Sequence, residues 1–268
     1  MRRWIKALAV AGASATAVVA TMSTAQAATA RDYEAIGDSY ASGLGSGNVV
    51  DSACLRTDAS YSHFWLNRKG RASFGSVANR ACSGATTAAV RTRQLGDLDA
   101  NTGWVTISAG GNDVGFTSAI STCVISSEAA CTTAVQSAIT KANTQLPASF
   151  SQLFTSVRAK APNARVYVLG YPRLLAAATS TVNCGTLTPA KRAVINHAAD
   201  VLADVTRNST TGRTGFTFVD SRARFAGHEA CTATPWMQGL RMDEPAKSFH
   251  PNVSGHKQYA DLLFSVTG

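Results

Sequence analysis

Five short apolar runs, each bounded by Gly, Asn, Asp or Pro, alternate along the chain with longer stretches of helical periodicity. Runs of this length and flanking composition predict buried β-strands. The predicted strands are residues 33–36, 74–78, 104–108, 166–169 and 216–219. The predicted helices are residues 60–69, 86–95, 129–160, 189–207 and 254–266.

This alternation predicts an α/β fold, because each crossover between parallel strands must carry the chain back across the sheet. Helices then cover both faces of the sheet, and chemistry concentrates beyond the carboxyl ends of the strands. Polar, Gly-containing loops follow the first three predicted strands, at residues 37–40, 82–85 and 110–113. We therefore look for functional residues in these loops first.

Residues 1–27 have the composition of a secretory signal peptide. A basic start, Met-Arg-Arg-Trp-Ile-Lys, leads into an Ala-rich apolar run that ends in Ala-Gln-Ala. The run is too short for a good membrane anchor, which needs about 20 predominantly apolar residues. We predict a secreted, extracellular protein in which residues 28–268 form a single domain, since neither a linker nor an internal repeat interrupts them.

The chain carries 25 Lys and Arg against 16 Asp and Glu, and loss of residues 1–27 would lower its formal charge from +9 to +6. The basic residues are scattered, with no long run and no interleaved aromatic stripe, so they do not predict nucleic-acid binding. A solvated surface is the plain interpretation, and attraction to anionic lipid or cell wall is the alternative. We expect a monomer that contacts a lipid interface transiently, without stable membrane insertion.

Six cysteines in an exported chain predict three disulfide bonds. The sequence alone leaves the pairing open. A local bond between Cys123 and Cys131 could close a short loop, which favours the sequential scheme Cys54–Cys82, Cys123–Cys131 and Cys184–Cys231. A zinc site is disfavoured, because the chain has no Cys-x-x-Cys pair and no close Cys/His cluster.

Ser39 is the candidate nucleophile. It follows Gly37 and Asp38 directly after the first predicted strand, where a turn can lift the side chain out of the sheet. A serine attacks an ester only if a base takes its proton and donors stabilise the oxyanion. Gly84 can offer an unobstructed N–H after the second strand, and Asn112 a side-chain amide after the third. Each feature alone is also typical of an ordinary turn.

Five histidines are candidates for the base. His63 and His197 fall within helical patterns, which favours packing or surface roles. His228 lies in a loop shortly before a cysteine, and His256 lies in the first turn of the last predicted helix. His250 precedes a proline in the loop before that helix, and the proline restrains the backbone. We favour His250, because a rigid loop is a suitable mount for a base.

Together these residues resemble the SGNH (GDSL) hydrolase family over almost all of residues 28–268, in the family's order. Ser39 in Gly-Asp-Ser-Tyr matches the nucleophile block, Gly84 the glycine block, Asn112 in Gly-Gly-Asn-Asp the asparagine block and His250 in His-Pro-Asn the histidine block. The cysteines and the segment Gly-Asp-Ser-Tyr-Ala-Ser-Gly are similar in particular to those of secreted actinobacterial lipases, esterases and phospholipases.

This resemblance implies a three-layer α/β/α, flavodoxin-like fold with a five-stranded parallel sheet. It also implies hydrolysis through an acyl-enzyme without a metal or cofactor, at an oxyanion hole formed by Ser39, Gly84 and Asn112. The chain contains no Gly-x-Ser-x-Gly sequence, which argues against the nucleophile elbow of the α/β-hydrolases.

Lys247 stands three residues before His250, where many family members carry an Asp that orients the histidine. Loss of such an Asp from a triad is costly. We therefore predict a serine–histidine dyad whose second ring nitrogen is held by a backbone carbonyl near Lys247 or Ser248. Asp243 or Glu244 is the alternative partner. With an unperturbed histidine, activity would rise with pH through about 6.5.

The sequence thus predicts a secreted carboxylic ester hydrolase whose partner is an ester or lipid substrate. A phospholipase A would use the same site, and a carbohydrate acetyl esterase or a non-catalytic binding module is a further alternative. By position, residues 116–131 and 179–187 are the candidates for shaping an acyl pocket.

Overall fold

The computed structural model describes Met1 and residues 30–268, so residues 2–27 of the predicted signal peptide lie outside the described residues. The strands are β1 Asp32–Gly37, β2 Val49–Asp51, β3 Arg56–Thr57, β4 Val77–Asn79, β5 Thr102–Ser108, β6 Arg165–Leu169 and β7 Phe216–Val219. Five of them form one parallel sheet in the order β4-β1-β5-β6-β7, while β2 and β3 form an antiparallel hairpin. The predicted five-stranded parallel sheet is confirmed.

The helices are α1 Ser39–Ser42, α2 Tyr61–Lys69, α3 Thr87–Arg93, α4 Phe116–Ile125, α5 Glu128–Thr144, α6 Leu146–Lys160, α7 Pro189–Thr210, α8 Arg222–Phe225 and α9 Val253–Thr267. Besides the short α1, which Asp38 caps, five of them, α2, α3, α5, α7 and α9, follow a side chain that accepts an N–H of the first turn. Such a cap satisfies a donor that the start of a helix leaves unpaired. The capping residues are Ser60, Thr86, Ser127, Thr188 and Asn252.

The sheet has the flavodoxin-like strand order, since its second strand along the chain lies at one edge and the first lies beside it. The order of connection reverses between β1 and β5, and in such sheets a crevice opens beyond the carboxyl ends of these two strands. β1 ends at Gly37 and β5 at Ser108. The fold therefore places the crevice between the loops that carry Ser39 and Asn112.

Helices cover both faces of the sheet. On one face Trp65 of α2 packs against Tyr33 and Trp104, with ring centroids 4.9 and 5.8 Å apart. Phe154 of α6 packs against Phe216 at 5.0 Å. The register of β5, β6 and β7 puts these two aromatic groups on opposite faces. The fold is thus the three-layer α/β/α arrangement that the family resemblance implies.

The predicted helix 129–160 is two helices in the structure, α5 and α6, which meet at Gln145 just before Leu146-Pro147. Proline is tolerated in the first turn of a helix but not in its interior, because it lacks an N–H and its ring clashes with the preceding turn. The sequence analysis also missed α4, whose Ser, Thr, Ile and Val residues have modest helix propensity.

The strand predicted at 74–78 is shorter than expected. It comprises only Val77–Asn79, and Phe74 is instead buried in the turn that precedes it. Burial without strand pairing gives the same apolar signal in a sequence, so pattern alone could not separate the two.

Three disulfide bonds join the cysteines in the sequential order that the sequence analysis favoured. Cys54–Cys82 ties the β2–β3 hairpin to the loop that carries Gly84, and Cys123–Cys131 joins α4 to α5. Across residues 30–268, none of the helices combines the length and apolar character that crossing a membrane requires.

Candidate active site

Ser39 is the first residue of α1 and follows closely on the end of β1. Gly37 ends the strand with φ 133°, and a Cβ there would lie only 2.0 Å from the carbonyl oxygen of Ser108. Asp38 caps the helix, since its carboxylate accepts a backbone N–H at 3.0 Å. Residues 37–39, which we call the nucleophile turn, therefore bring Ser39 to the carboxyl edge of the sheet.

Two buried side chains hold the nucleophile turn. The amide oxygen of Gln94 accepts the N–H of Gly37 at 2.7 Å, and its NH₂ group donates to the Gly37 carbonyl at 2.9 Å. The Tyr171 hydroxyl donates to the carboxylate of Asp38 and accepts the N–H of Gly111 at 3.2 Å. Burial raises the pKa of Asp38 to about 7, although its hydrogen bonds oppose that effect. Tyr171 thus links the nucleophile turn to the loop after β5.

The loops that carry Gly84 and Asn112 adjoin the same edge of the sheet. The N–H of Cys82 donates to the carbonyl that ends β1 at 3.0 Å, and the Asn112 amide donates to the Ala85 carbonyl at 3.0 Å. This second bond uses one of the two amide hydrogens of Asn112 and leaves the other for a substrate. Asn112 and Ser39 line one cavity, and Gly84 is exposed at its turn. The structure thus brings the three predicted donors to neighbouring turns.

His250 lies in residues 237–252, an irregular segment that we call the histidine loop. Its Nε2 is 2.8 Å from the Oγ of Ser39, and its Nδ1 is 2.9 Å from the carbonyl oxygen of Ser248. A carbonyl can only accept, so Nδ1 carries the proton and Nε2 is left to accept from the serine hydroxyl. Ser248 is one of the two carbonyls that the sequence analysis named for this role.

The alternative prediction, that a nearby carboxylate would hold the second ring nitrogen of His250, was wrong. The carboxylates of Asp243 and Glu244 pair with Arg241 at 2.7 and 3.0 Å, and Glu244 also pairs with Lys247. Within the described part of the chain, neither carboxylate forms a hydrogen bond to His250, whose two ring nitrogens contact Ser248 and Ser39. The two neighbouring cations engage the carboxylates at the surface, and this keeps them from folding back onto the imidazole.

Long-range contacts fix the histidine loop against the nucleophile side of the site. The Tyr40 hydroxyl donates to the Phe249 carbonyl at 2.8 Å, and the Gln238 amide donates to the Gly45 carbonyl at 2.8 Å. A Cβ at Gly45 would lie 2.6 Å from the carbonyl oxygen of Pro251, so only glycine allows this approach. Phe249 has φ 59°, a conformation that costs a non-glycine residue about 1 kcal/mol or more. The surrounding contacts hold this strained residue directly before the candidate base.

Burial lowers the pKa of His250 to about 4, although hydrogen bonds to the carbonyls of Ser248 and Lys247 act in the opposite direction. The side chain is therefore neutral from mildly acidic pH upward, and the value near 6.5 expected for an unperturbed histidine does not apply. His256, a rival candidate, is fully buried and accepts the N–H of Tyr61 at 3.2 Å. The role of His256 is therefore structural, and it does not serve Ser39.

A cavity of about 260 Å³ opens beside Ser39 and His250, between α4 on one side and residues 240–249 on the other. Its walls are largely apolar: Phe116, Ile120, Val124, Ile125, Leu174, Leu240, Pro245, Ala246 and Phe249. The predicted pocket segment 116–131 thus contributes through α4. The segment 179–187 does not line the cavity, and instead braces α4 from outside, since the Thr186 hydroxyl donates to the Val124 carbonyl at 2.8 Å.

Residues 35–258 match the model of the GDSL-like lipase/acylhydrolase family. The chain belongs to this family. The GDSL hydrolase described here is 37% identical over 254 residues to Lipase 1 of Streptomyces coelicolor. The aligned residues cover 94% of this chain and 92% of that relative.

The solved structures that are similar to this GDSL hydrolase include two Streptomyces enzymes. Phospholipase A1 from Streptomyces albidoflavus NA297 superimposes with a TM-score of 0.83 at 38% identity, covering 88% of this chain and 99% of the other. The extracellular lipase from Streptomyces rimosus gives a TM-score of 0.82 at 35% identity, with the same coverage of both chains. Both similarities extend over most of the fold.

The residues that support the site of this GDSL hydrolase could not be predicted from its sequence. Gln94 reaches the nucleophile turn across 57 positions, Tyr171 reaches it across 133, and Tyr40 reaches the histidine loop across 209. No local pattern marks such residues, because each acts through a partner far away in the sequence. The wall formed by residues 240–249 was missed for the same reason.

Proposed function

We propose that this GDSL-family hydrolase is a secreted carboxylic ester hydrolase that cleaves lipid esters, with Ser39 as nucleophile and His250 as base. The observation that carries the proposal is the 2.8 Å separation between Ser39 Oγ and His250 Nε2 at one end of an apolar cavity. A serine hydroxyl within reach of a neutral imidazole is what nucleophilic ester cleavage requires.

In the first half of the reaction, His250 takes the proton of the Ser39 hydroxyl as the oxygen attacks the carbonyl carbon of the ester. The carbonyl oxygen becomes an oxyanion, which would be stabilised by the N–H groups of Ser39 and Gly84 and by the free amide hydrogen of Asn112. The Ser248 carbonyl accepts the hydrogen bond from Nδ1, so the neutral imidazole presents an unprotonated Nε2 to the serine, and the imidazolium that forms keeps the same orientation.

Collapse of the tetrahedral intermediate breaks the bond to the alcohol, which leaves with the proton that His250 took from the serine. The acid part is then bound to Ser39 as an acyl-enzyme. Water attacks this ester with the imidazole as base, and the second collapse releases the carboxylic acid and restores the serine hydroxyl.

A neutral carbonyl in place of a carboxylate has a chemical consequence at His250. It orients the ring but adds no full negative charge to stabilise the imidazolium, and burial lowers the pKa further. The imidazole is therefore a weaker base than one in a charged triad. In exchange it stays unprotonated, and available as a base, well below neutral pH.

The cavity supports an acyl chain as the part of the substrate bound beside Ser39. Its apolar walls can bury methylene groups, each worth about 0.8 kcal/mol, whereas an acetyl group would leave most of that surface unused. Relatives that are 35–38% identical over most of the chain include a lipase, an extracellular lipase and a phospholipase A1. Phospholipid cleavage is thus the second candidate, supported by 38% identity to that phospholipase over 99% of its length.

Secretion is supported by the signal-peptide composition of residues 1–27 and by three disulfide bonds, which persist in oxidising compartments. Determination of the amino-terminal sequence of protein recovered from the culture medium tests this part of the proposal. A terminus close to residue 28 is expected, and protein found only inside cells would contradict it.

The catalytic proposal is tested with p-nitrophenyl esters of increasing acyl length, a triglyceride emulsion, phosphatidylcholine and acetylated xylan. Ser39→Ala should lower kcat by several orders of magnitude with unchanged thermal unfolding, because it removes the attacking oxygen. Ser265→Ala, an exposed serine of α9, is the matched control. Full activity in Ser39→Ala would refute the mechanism, and activity confined to acetyl groups would refute the lipid substrate.

A further inference from the structure

Exposed apolar side chains surround the mouth of the cavity. Ile125, at the end of α4, is 83% exposed; in the histidine loop, Leu240, a lining residue, is 44% exposed, and nearby Met242 is 80% exposed. Ile125 and Leu240 both line the cavity, as does exposed Pro245, which follows Leu240 in the histidine loop. We call these four residues the apolar rim. Several large apolar side chains exposed near one opening of a folded protein commonly mark a site of interaction.

The rim stands on well-fixed backbone. A disulfide bond joins α4 to α5, and the Thr186 hydroxyl and the Lys191 ammonium donate to carbonyls at the C-terminal end of α4 at 2.8 and 2.6 Å. These contacts hold Ile125 outward, away from the buried core. Its exposure is therefore a feature of the folded state, not the result of a loosely attached helix end.

Charge does not compete with apolar contact at the rim. Arg241 and Lys247 are the cations of the adjacent segment, and both are paired with carboxylates, those of Asp243 and Glu244. The segment is therefore neutral in sum. The exposed side chains of this wall that take no part in ion pairs are apolar. Such a wall suits a lipid surface whose headgroups carry no net charge.

We propose that the apolar rim docks on the surface of a lipid aggregate and inserts its side chains there, so that an acyl chain passes from the aggregate into the cavity. This inference rests on the proposed function and adds the surface through which the substrate arrives. A lipid layer fits the rim better than a protein does, because a protein seated on both lips would block the opening. A lipid layer instead supplies through the opening the kind of chain that the cavity accommodates.

The test measures binding without turnover. Protein carrying Ser39→Ala is sedimented with vesicles of phosphatidylcholine, and the partition coefficient is compared with that of the same protein carrying Met242→Ser or Leu240→Ser. Each rim substitution should lower partitioning about tenfold, because it withdraws most of one apolar side chain from the lipid. Addition of about 0.5 M NaCl should leave the partitioning of the parent nearly unchanged, since salt screens charge but not apolar contact.

Val266→Ser is the matched control. Val266 is 45% exposed, close to the value for Leu240, and lies at the far end of α9. There the hydroxyl of neighbouring Thr267 accepts a hydrogen bond from Trp65, which packs near the start of β5. The control therefore lies near the amino-terminal ends of the strands, at the end of the sheet opposite the site. Its substitution should change partitioning less than about twofold.

The outcomes separate this inference from the proposed function. Rim variants that bind as the parent does, a control variant that loses as much binding as they do, or binding that salt abolishes would each overturn docking through the rim. Ester hydrolysis by the wild-type enzyme would stand in all three cases. Rim-dependent vesicle binding by a wild-type enzyme that hydrolyses no ester would instead leave the docking surface in place and overturn the proposed function.

Discussion

The nucleophile turn and the histidine loop meet at a distance of 2.8 Å, yet the chain builds them differently. The nucleophile turn is three residues long and follows a central strand, and Gly37 is hydrogen-bonded to Gln94 and to the loop after β4. The histidine loop has little regular structure, and it is joined to the other side of the site by Tyr40 and Gln238.

Because of this difference, substitutions on the two sides of the site should affect stability and activity to different extents. A change in the nucleophile turn disturbs the centre of the sheet, so we expect it to lower stability first and activity as a consequence. A change in the contacts of the histidine loop moves the base relative to the serine while the sheet stays intact, and small displacements of a catalytic group are costly to rate. Substitutions on each side can test this division.

Gly37→Ala should have the largest effect on stability. The new Cβ would lie 2.0 Å from the Ser108 carbonyl in a backbone conformation that side chains rarely adopt, so the end of β1 must shift. We expect a loss of about 3–5 kcal/mol in the free energy of unfolding, measured by denaturant titration. Gly96→Ala, with open space around it, is the control and should change little. Equal stability of the two variants would contradict this account.

Gln94→Ala should come next. It removes the acceptor of the buried Gly37 N–H and one donor to the Gly37 carbonyl, which the N–H of Cys82 still serves. Leaving a buried donor unpaired costs about 1–3 kcal/mol, and we expect kcat to fall as the turn loosens. Gln136→Ala, on the exposed face of α5, is the control for loss of a glutamine. Reduced stability with unchanged kcat would show that the amide serves folding alone.

The same contrast explains what could be predicted from the sequence. Ser39 and Asn112 were found because each follows a buried strand within a few residues, and a strand end is visible as a change from apolar to polar and glycine residues. His250 was favoured among five histidines because Pro251 follows it in a loop, and the family resemblance supported that choice, since the histidine loop has no periodic pattern. Gln94 and Tyr171 could not be found at all, because their roles depend on tertiary contacts with distant residues.

The pH dependence of kcat tests the environment of the histidine loop. His250 must be neutral to act as a base, and burial lowers its pKa to about 4, so activity should be lost only as the pH falls through that value. At pH 5.5 the enzyme should keep nearly full activity, where a histidine of pKa 6.5 would leave roughly a tenth. A midpoint near 6.5 would contradict the buried, neutral imidazole.

Acid also affects stability, and the direction follows from the same shift. The unfolded chain binds a proton at His250 below about pH 6.5, whereas the folded chain does so only near 4, so the contribution to stability declines as the pH falls between these values. Circular dichroism at each pH therefore accompanies the rate measurements. A loss of activity reports protonation of His250 only at pH values at which the protein is still folded.

Tyr40→Phe should have a smaller effect that falls mainly on activity. The ring stays, but the hydroxyl that donates to the Phe249 carbonyl is lost, and with it one contact that positions His250. We expect about a fivefold fall in kcat with KM little changed, and a stability loss of about 1 kcal/mol. Tyr259→Phe removes a comparable buried bond, to the Gly170 carbonyl at 2.9 Å, away from the loop. It should cost similar stability and leave kcat unchanged.

Asp243→Asn is expected to have the smallest effect, and that expectation separates a dyad from a triad. The carboxylate of Asp243 is paired with Arg241 and its side chain is 66% exposed, while the Nδ1 of His250 is already hydrogen-bonded to Ser248. Surface pairs of this kind contribute about 0–1 kcal/mol, so kcat should stay within about twofold of the wild-type value. His250→Ala, which removes the base itself, sets the scale for a full loss. A fall of more than about tenfold in Asp243→Asn would mean that the loop rearranges during turnover to bring a carboxylate to the imidazole, as in a triad.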